Sequence, residues 1–248
     1  NALAAPLLTA GGYYKTFMWP AAFWEKLYEP AIRRAAGLGR LSGKDDPDAY
    51  DKGYLHCDLL IIGAGPAGLA AALTAGRAGA RVILADEDFR AGGRLNAERE
   101  AIGQDSAADW AASTRAELAS LPNVRLLPRT TVIGAWDHGI YGALERCGDH
   151  LAEPAAGKPR HILWRIYTGR AVLAGGATER IIPFADNDRP GSLQAGALRS
   201  YLNRWAAFPA QEIAIFTNND SGHRTARDAL AHGLTVKAVI DSREDAPS

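Results

Sequence analysis

The sequence predicts an α/β fold, because two of its segments have the pattern of a strand, a helix and a second strand in succession. The first segment lies within residues 57–88 and the second within residues 213–241. Between them, residues 130–175 are rich in β-branched and aromatic residues, which predicts antiparallel strands. Strands that alternate with helices form a parallel sheet, since a helix carries the chain back across the sheet. We therefore expect a Rossmann-like parallel sheet with an antiparallel β segment.

The composition excludes several classes of function. The chain has 248 residues, with 28 Lys and Arg against 28 Asp and Glu, and 47% of it is apolar. This length allows one large domain or two modest ones. Zero formal net charge argues against a general nucleic-acid binder or a protein that binds anionic membranes. The two cysteines, Cys57 and Cys147, form no C-x-x-C pair, so we expect neither a disulfide framework nor a zinc site and predict a cytoplasmic protein.

The first fifty residues show no regular periodicity. Residues 17–20 form an apolar cluster, and residues 23–28 predict a short helix that is interrupted at Pro30. A second helix is predicted at residues 31–37, and the polar residues 41–52 predict a linker. The N-terminus has no basic region followed by a long apolar run, so a signal peptide is not expected. It also lacks an initiator Met, which suggests a chain trimmed at the front.

The first strand–helix–strand unit carries the clearest motif. An apolar run at residues 57–62 predicts a buried strand, and three glycines follow in the turn before a helix. Gly63 allows a tight turn, Gly65 lets a pyrophosphate approach the backbone, and Gly68 lets the helix pack closely on the strand. The N-terminus of a helix adds unpaired N–H groups that favour phosphates. The predicted dinucleotide-binding loop comprises Gly63, Gly65, Pro66, Ala67 and Gly68.

Two other interpretations of this stretch are weaker. Residues 59–76 carry no charge and are long enough to span a bilayer, but their first ten positions contain three glycines and a proline, which favour a turn. A glycine-rich turn without a ligand is the second alternative. It is disfavoured because the strand, the glycines, the helix and an acidic residue at the next strand end occur together.

The second strand of this unit, predicted at residues 81–85, ends at Asp86, Glu87 and Asp88. A carboxylate at this point can bind the hydroxyls of a ribose. Three negative charges would also repel a 2′-phosphate, so we expect NAD or FAD in preference to NADP.

Two further features could contact the cofactor. The loop at residues 91–93 contains Gly92 and Gly93, which predicts another close approach of backbone to the cofactor, with an ordinary surface turn as the alternative. Arg90 and Arg94 flank this loop and could offset part of the acidic charge. By analogy with the fold, Val132 could offer backbone hydrogen bonds to an adenine.

The remaining elements follow from capping and residue type. Ser106, with Asp109 three residues later, predicts the start of a helix that runs to about Ser120. The other predicted elements are strands at residues 124–127, 130–133, 162–167 and 171–174 and a helix at residues 193–205.

The second strand–helix–strand unit has a different turn. Its predicted strands lie at residues 213–216 and 236–240, with a helix between them. Asn219 and Asp220 stand where the first unit has glycines, and their side chains would crowd a pyrophosphate. We therefore expect Asp220 or Ser221 to cap the helix, and we expect no ordinary second nucleotide site.

No catalytic or metal-binding residue can be named from the sequence. The six histidines form no pair at metal-ligand spacing, so we expect each to be structural or exposed. The polar segment at residues 186–191 predicts a turn before the next helix.

Six segments carry a resemblance to a known family. They are residues 14–20, 23–30, 63–68, 129–132, 186–191 and 216–221. Through them, most of the chain resembles the N-terminal part of the alpha subunit of heterotetrameric sarcosine oxidase. The resemblance implies a fold with two dinucleotide-binding units, like that of the disulfide reductases, which this chain would carry in truncated form. It would lack the folate-binding half and the strands that return to complete the first unit.

The resemblance also implies an activity and its cofactors. The complex would oxidatively demethylate sarcosine to glycine, with transfer of the one-carbon unit to tetrahydrofolate and of electrons to oxygen. The beta subunit would hold FAD, FMN would lie near the alpha–beta interface, and gamma and delta subunits would complete the complex. The alpha subunit would bind NAD. Because the chain has an intact phosphate loop and no catalytic constellation, we expect it to bind NAD and to have no turnover alone. Its NAD contacts would be Ala67, Asp86, Glu87, Asp88, Arg94 and Val132.

We expect three parts in the chain. Residues 1–52 would form an aromatic, helical extension with a linker, residues 53–190 a first dinucleotide-binding domain with the antiparallel segment inserted, and residues 191–248 a second, degenerate and incomplete Rossmann-like unit. Two alternatives stay open. The chain could be a stand-alone reductase or amine oxidase with FAD at the Gly63 loop, or a non-catalytic scaffold whose aromatic N-terminus docks a partner.

Overall fold

A computed structural model describes residues 20–37, 39, 42–153 and 157–245. The apolar cluster at residues 17–19 and most of the resembling segment at residues 14–20 lie outside the described residues. The chain divides into two compact units, Asn1–Pro47 and Asp48–Ser248. The finer division at residue 190 stays a prediction.

Residues 21–35 of the smaller unit are helical. A 3₁₀ turn at Ala21–Phe23 and a π-helical turn at Trp24–Tyr28 lead directly into helix α1, Glu29–Ala35. Pro30 lies in the first turn of α1. Backbone N–H groups there have no acceptor within the helix, so a proline costs no hydrogen bond. The predicted interruption at Pro30 is therefore wrong, because the proline starts a helix there.

The larger unit is built on a mixed sheet of six strands. They are β1 (Tyr50–Ile62), β2 (Val82–Ala85), β5 (Val124–Leu127), β6 (Thr130–Trp136), β7 (Ile140–Arg146) and β8 (His161–Leu173). Their order in the sheet is β5–β2–β1–β8–β7–β6. The parallel neighbours are β5 with β2, β2 with β1, and β1 with β8, whereas β6, β7 and β8 form an antiparallel meander. The predicted parallel sheet and antiparallel segment are therefore parts of one sheet.

Strand β8 replaces the two separate strands that the sequence predicts at residues 162–167 and 171–174. Its first half pairs antiparallel with β7, and it pairs in parallel with β1 along its length until Leu173 lies opposite Ile62. The polar residues that suggested a break lie inside the strand, where Gly169 comes close to the backbone oxygen of Asp58.

Strand β1 is also longer than predicted. It begins at Tyr50, within the predicted linker at residues 41–52, and this early part pairs with the start of β8. The linker prediction is therefore wrong for residues 50–52. Their polar, exposed side chains gave no apolar pattern, because this part of the strand is held by its pairing with β8.

Two helices cover one face of the parallel strands. They are α2 (Pro66–Arg77) and α3 (Ala107–Ser120), and short strands β3 (Ala101–Ile102) and β4 (Asp105–Ser106) precede α3. Ser106 caps α3 by accepting from the Asp109 N–H group, as predicted. Ile61 and Leu84 face these helices, whereas Leu60 and Ile83 face the other side of the sheet. Burial on both faces explains why β1 and β2 end in unbroken apolar runs.

The C-terminal part of the larger unit contains a second, smaller sheet. Parallel strands β9 (Glu212–Thr217) and β10 (Thr235–Asp241) flank helix α5 (Asp220–Ala231), and before them α4 (Ala195–Arg199) continues as a π-helical turn, Ser200–Arg204. The cap of α5 is Asn219, whose side-chain oxygen accepts from the Ser221 N–H group at 2.9 Å. The expected cap at Asp220 or Ser221 is wrong, because Asn219 has the extended backbone of a capping residue and both of the others are already helical.

Within the described residues, no helix is both long and apolar enough to cross a bilayer. The same residues contain no group of three or more His, Cys, Asp or Glu side chains that could hold a metal ion.

Candidate dinucleotide-binding site

The glycine loop joins the end of β1 to the start of α2, and its three glycines differ in their surroundings. Gly63 has φ +103°, which favours glycine, and a side chain there would overlap the Ala174 carbonyl. Gly65 has an extended backbone, and a Cβ atom added to it would have no described atom within 4 Å. A Cβ atom on Gly68 would meet the Gly63 carbonyl oxygen at 1.8 Å. The first glycine therefore shapes the turn, the third allows close helix packing, and the second leaves open space.

The open space at Gly65 fits a pyrophosphate. It lies at the N-terminus of α2, whose first N–H groups have no acceptor within the helix and whose positive dipole end favours anions. Pro66 starts the helix without giving up a hydrogen bond, and Ala67 follows with a small side chain. The residues present are thus suited to hold the phosphates of a dinucleotide.

Asp86 connects this loop to the end of β2. Its Oδ2 atom accepts from the Ala64 N–H group at 2.5 Å, and its Oδ1 atom accepts from the Asp88 N–H group at 2.7 Å. The Asp86 backbone also bonds to Leu127 and Thr130, which places it where β2, β5 and β6 meet. Each carboxylate oxygen keeps a second acceptor position, so the half-buried carboxylate can still accept from a ribose hydroxyl.

The second glycine loop lies against the first. Gly92 has φ +123°, and its N–H group donates to the Ala64 carbonyl at 2.7 Å. Gly93 has φ +53°, and a Cβ atom on it would lie 3.1 Å from the Cα atom of Gly65. The two loops therefore form one glycine-lined surface.

The other predicted site residues are placed less uniformly. Glu87 is exposed, and its carbonyl accepts from Arg146 at 2.7 Å. Arg94 is 61% exposed and pairs with Glu98 at 2.6 Å, so its guanidinium is bound within its own segment. Val132 lies in β6 opposite Ala143 and packs against the core on the face of the sheet that Leu60 and Ile83 occupy. The structure thus brings Gly63, Gly65, Gly68, Asp86 and Gly93 together at one end of the sheet, with Glu87 beside them.

Asp88 is paired with a residue that the sequence analysis missed. Arg204 donates to its two carboxylate oxygens at 2.7 and 3.0 Å. Burial raises the pKa of Asp88, but the hydrogen bonds from Arg204 and from the backbone N–H groups of Arg90 and Phe89 outweigh it, so this pKa lies below its usual value. Asp88 therefore stays ionised with its charge matched, and repulsion of a 2′-phosphate falls mainly to Asp86 and Glu87.

A cleft of about 210 Å³ opens beside these acidic residues. On the wall of this cleft, the Arg129 guanidinium carbon lies 5.1 Å from the centre of the Phe89 ring. The cleft is lined by Glu87, Asp88, Phe89, Arg129, Arg146, Asp149 and His150. Its volume is below that of sites that enclose a whole organic ligand, so a dinucleotide would extend along the glycine-lined surface instead.

A family model described as FAD dependent oxidoreductase matches residues 58–116. These residues contain the end of β1, both glycine loops, Asp86 and most of α3. L-proline dehydrogenase from P. horikoshii has a similar structure, with a TM-score of 0.61 and 19% identity over 84% of this chain and 40% of that chain. These comparisons confirm the predicted Rossmann-like α/β fold.

Two curated relatives match most of this chain. Sarcosine oxidase subunit alpha from Rhizobium meliloti (strain 1021) is 57% identical over 98% of this chain and 25% of that protein. Sarcosine oxidase subunit alpha from Corynebacterium sp. (strain P-1) is 47% identical over 84% of this chain and 22% of that protein. The chain spans about a quarter of the length of these relatives. The resemblance that the sequence predicts is confirmed.

Proposed function

We propose that this chain, a relative of sarcosine oxidase subunit alpha, forms the dinucleotide-binding part of an oxidoreductase complex that oxidatively demethylates sarcosine to glycine. The observation that carries the proposal is the glycine-lined surface, with open space at Gly65 beside the Asp86 carboxylate. Such a surface binds and orients a nucleotide. Among the described residues we assign no general acid, base or nucleophile, so the chain's own task is binding.

We propose NAD as the nucleotide, with FAD as the alternative at the same loop. Both carry the ADP group that the surface fits, and the resemblance to the alpha subunit favours NAD. Phosphates would lie at Gly65 and at the N–H groups of Ala67 and Gly68, and the adenosine ribose would lie at Asp86. Val132 on β6 would offer backbone groups to the adenine. In this proposal Arg94 makes no direct contact, because Glu98 holds its guanidinium.

The wider complex belongs to the same proposal. Beta, gamma and delta subunits would join this chain, and FAD and FMN elsewhere in the complex would supply the redox chemistry. Tetrahydrofolate would accept the one-carbon unit, and oxygen the electrons. A cytoplasmic location is supported by Cys57 and Cys147, which are free thiols in the structure.

The test is to identify the small molecule that heat releases from the purified chain by mass spectrometry, beside calorimetric titrations with NAD and FAD. Release or binding of NAD supports the proposal, and FAD would favour the alternative of a flavin at this loop. If neither nucleotide is released or bound, the proposal is wrong. Sarcosine oxidation by this chain without other subunits would contradict the assignment of binding as its only task.

Substitution of Asp86→Asn should weaken nucleotide binding. Asparagine keeps the shape of the aspartate side chain but loses its charge. Its NH₂ group would face the N–H group of Ala64 or of Asp88, which is also a donor. Hydrogen bonds to charged groups are stronger than neutral ones, so we expect a loss of about tenfold in affinity by calorimetry. Asp137→Asn, at an exposed turn between β6 and β7, is the matched control and should bind as the unsubstituted chain does. Equal affinities in the two variants would remove Asp86 from the ribose site.

A further inference from the structure

Arg204 holds the segment after β2 from a distant part of the chain. Besides its two hydrogen bonds to Asp88, its guanidinium lies over the Phe89 ring at 5.2 Å and over the Trp205 ring at 4.6 Å. The Phe89 and Trp205 rings are 6.3 Å apart, so the cation lies against both aromatic faces. One side chain thus binds the acidic and the aromatic residue that follow Asp86.

This contact is stronger than an ordinary surface ion pair. Exposed pairs contribute little to stability, because water screens them and both side chains lose conformational freedom. Arg204 is 13% exposed and Asp88 26% exposed, and their two parallel hydrogen bonds fix the planar groups in one orientation. Contact of the guanidinium with two rings adds to the pairing.

The contact also reaches the proposed ribose carboxylate. The Asp88 N–H group donates to Asp86 Oδ1, while the Asp88 carboxylate is bound by Arg204 and accepts from the Arg90 N–H group. Loss of Arg204 would leave the half-buried Asp88 carboxylate without its cation, held only by backbone N–H groups and able to turn towards solvent. The N–H group that orients Asp86 would then be held less firmly.

The backbone that carries Arg204 is unusual on both sides. Arg204 ends the π-helical turn that begins at Ser200, and such turns are rare and often found at functional sites. Two residues later, Ala206 has φ +48°, a conformation that costs energy in a residue with a side chain. The same helical stretch is bound at a second point, where Asn203 donates to the Ala97 carbonyl. The stretch is therefore fixed to the segment that follows Asp86 and to the turn that begins at Gly93.

We infer that Arg204 is a positioning residue for the nucleotide site, which holds Asp86 in the orientation that binds the adenosine ribose by fixing Asp88 and Phe89. The inference rests on the proposed function. It assigns to the C-terminal half of the chain a part in forming the first site.

The test compares ADP with 2′-deoxy-ADP, because NAD and FAD share the ADP group. We expect the unsubstituted chain to bind ADP about tenfold more tightly than 2′-deoxy-ADP, as a hydrogen bond to a charged carboxylate would give. In Arg204→Gln this preference should fall to about twofold or less, through weaker binding of ADP. Arg204→Lys should restore only part of it, since an ammonium group cannot form the paired, planar contact.

Several controls separate positioning from loss of structure. Arg227→Gln removes an exposed arginine of α5 and should keep the full preference. Asp88→Asn weakens the same contact from the other side, because the amide carries no charge and accepts through one oxygen only. It should reduce the preference for ADP in the same direction as Arg204→Gln. If Arg204→Gln lowers the affinity for ADP and for 2′-deoxy-ADP by the same factor, the inference is overturned and the proposed function is not. The same holds if the unsubstituted chain binds both nucleotides equally. If ADP, NAD and FAD all fail to bind the unsubstituted chain, the proposed function and this inference are both overturned.

Discussion

Substitution of Gly65→Val should strongly weaken dinucleotide binding and leave the fold intact. The valine side chain would enter the open space at the N-terminus of α2, where the pyrophosphate is proposed to lie. We expect the affinity for NAD or FAD to fall by roughly a hundredfold, about 2.7 kcal/mol. The backbone of Gly65 is extended, with φ −70° and ψ −175°, so valine can adopt it without strain. Loss of a good capping residue should cost no more than about 1 kcal/mol of stability.

Gly68→Ala is the contrasting variant, because its effect should appear first in stability. The added Cβ atom would lie 1.8 Å from the Gly63 carbonyl oxygen, and a backbone atom cannot move aside as a side chain can. Overpacking of this kind costs up to about 3 kcal/mol, and the better helix propensity of alanine returns about 1 kcal/mol. We therefore expect a net loss of about 2 kcal/mol in the free energy of unfolding.

Calorimetric titration and thermal unfolding together distinguish the two glycines. Gly65→Val should lose the ligand at a nearly unchanged melting temperature, and Gly68→Ala should melt earlier. If Gly65→Val binds nucleotide as the unsubstituted chain does, the open space is not the phosphate site. If instead Gly65→Val unfolds as readily as Gly68→Ala, the space around Gly65 is not open.

The glycine loop could be predicted because its information is local. Gly63, Gly65 and Gly68 lie within six positions, between an apolar run and a helical pattern, and this spacing is the motif of a dinucleotide-binding loop. Asp86 was predicted for the same reason, since it follows directly on a buried strand. Contacts between distant segments left no comparable pattern. Arg204 is far from Asp88 in sequence, and an arginine at a helix end usually predicts only an exposed charge.

The errors in the predicted strands have a related cause. Hydrophobic pattern identifies a strand only where it is buried, so the exposed first part of β1 and the polar middle of β8 were missed. Pairing between these two strands holds both regions. Neither strand has a local sequence pattern that shows this pairing. The same limit applies to the cap of α5. Asn219, Asp220 and Ser221 are all good capping residues, and the backbone conformation decides between them.

Substitution of Arg199→Met should give the largest loss of stability. Arg199 is 3% exposed and pairs with Glu98 at 3.2 Å and with Asp228 at 3.3 Å, which are themselves 10% and 14% exposed. Methionine fills much of the same volume but leaves two largely buried carboxylates without their shared cation. Removal of one partner from a buried ion pair costs about 3–5 kcal/mol. Each carboxylate keeps a second partner, Arg94 for Glu98 and Asn203 for Asp228, so we expect the lower value, about 3 kcal/mol.

Thermal unfolding measures this effect directly. For a unit of about 200 residues, 3 kcal/mol corresponds to a fall of roughly 10 °C in melting temperature. Arg199→Met combined with Asp228→Asn should recover part of the loss, because the carboxylate that keeps only a neutral partner is then removed. A fall of less than about 2 °C in the single variant would contradict the prediction, since it would mean that water reaches Glu98 and Asp228 once Arg199 is gone.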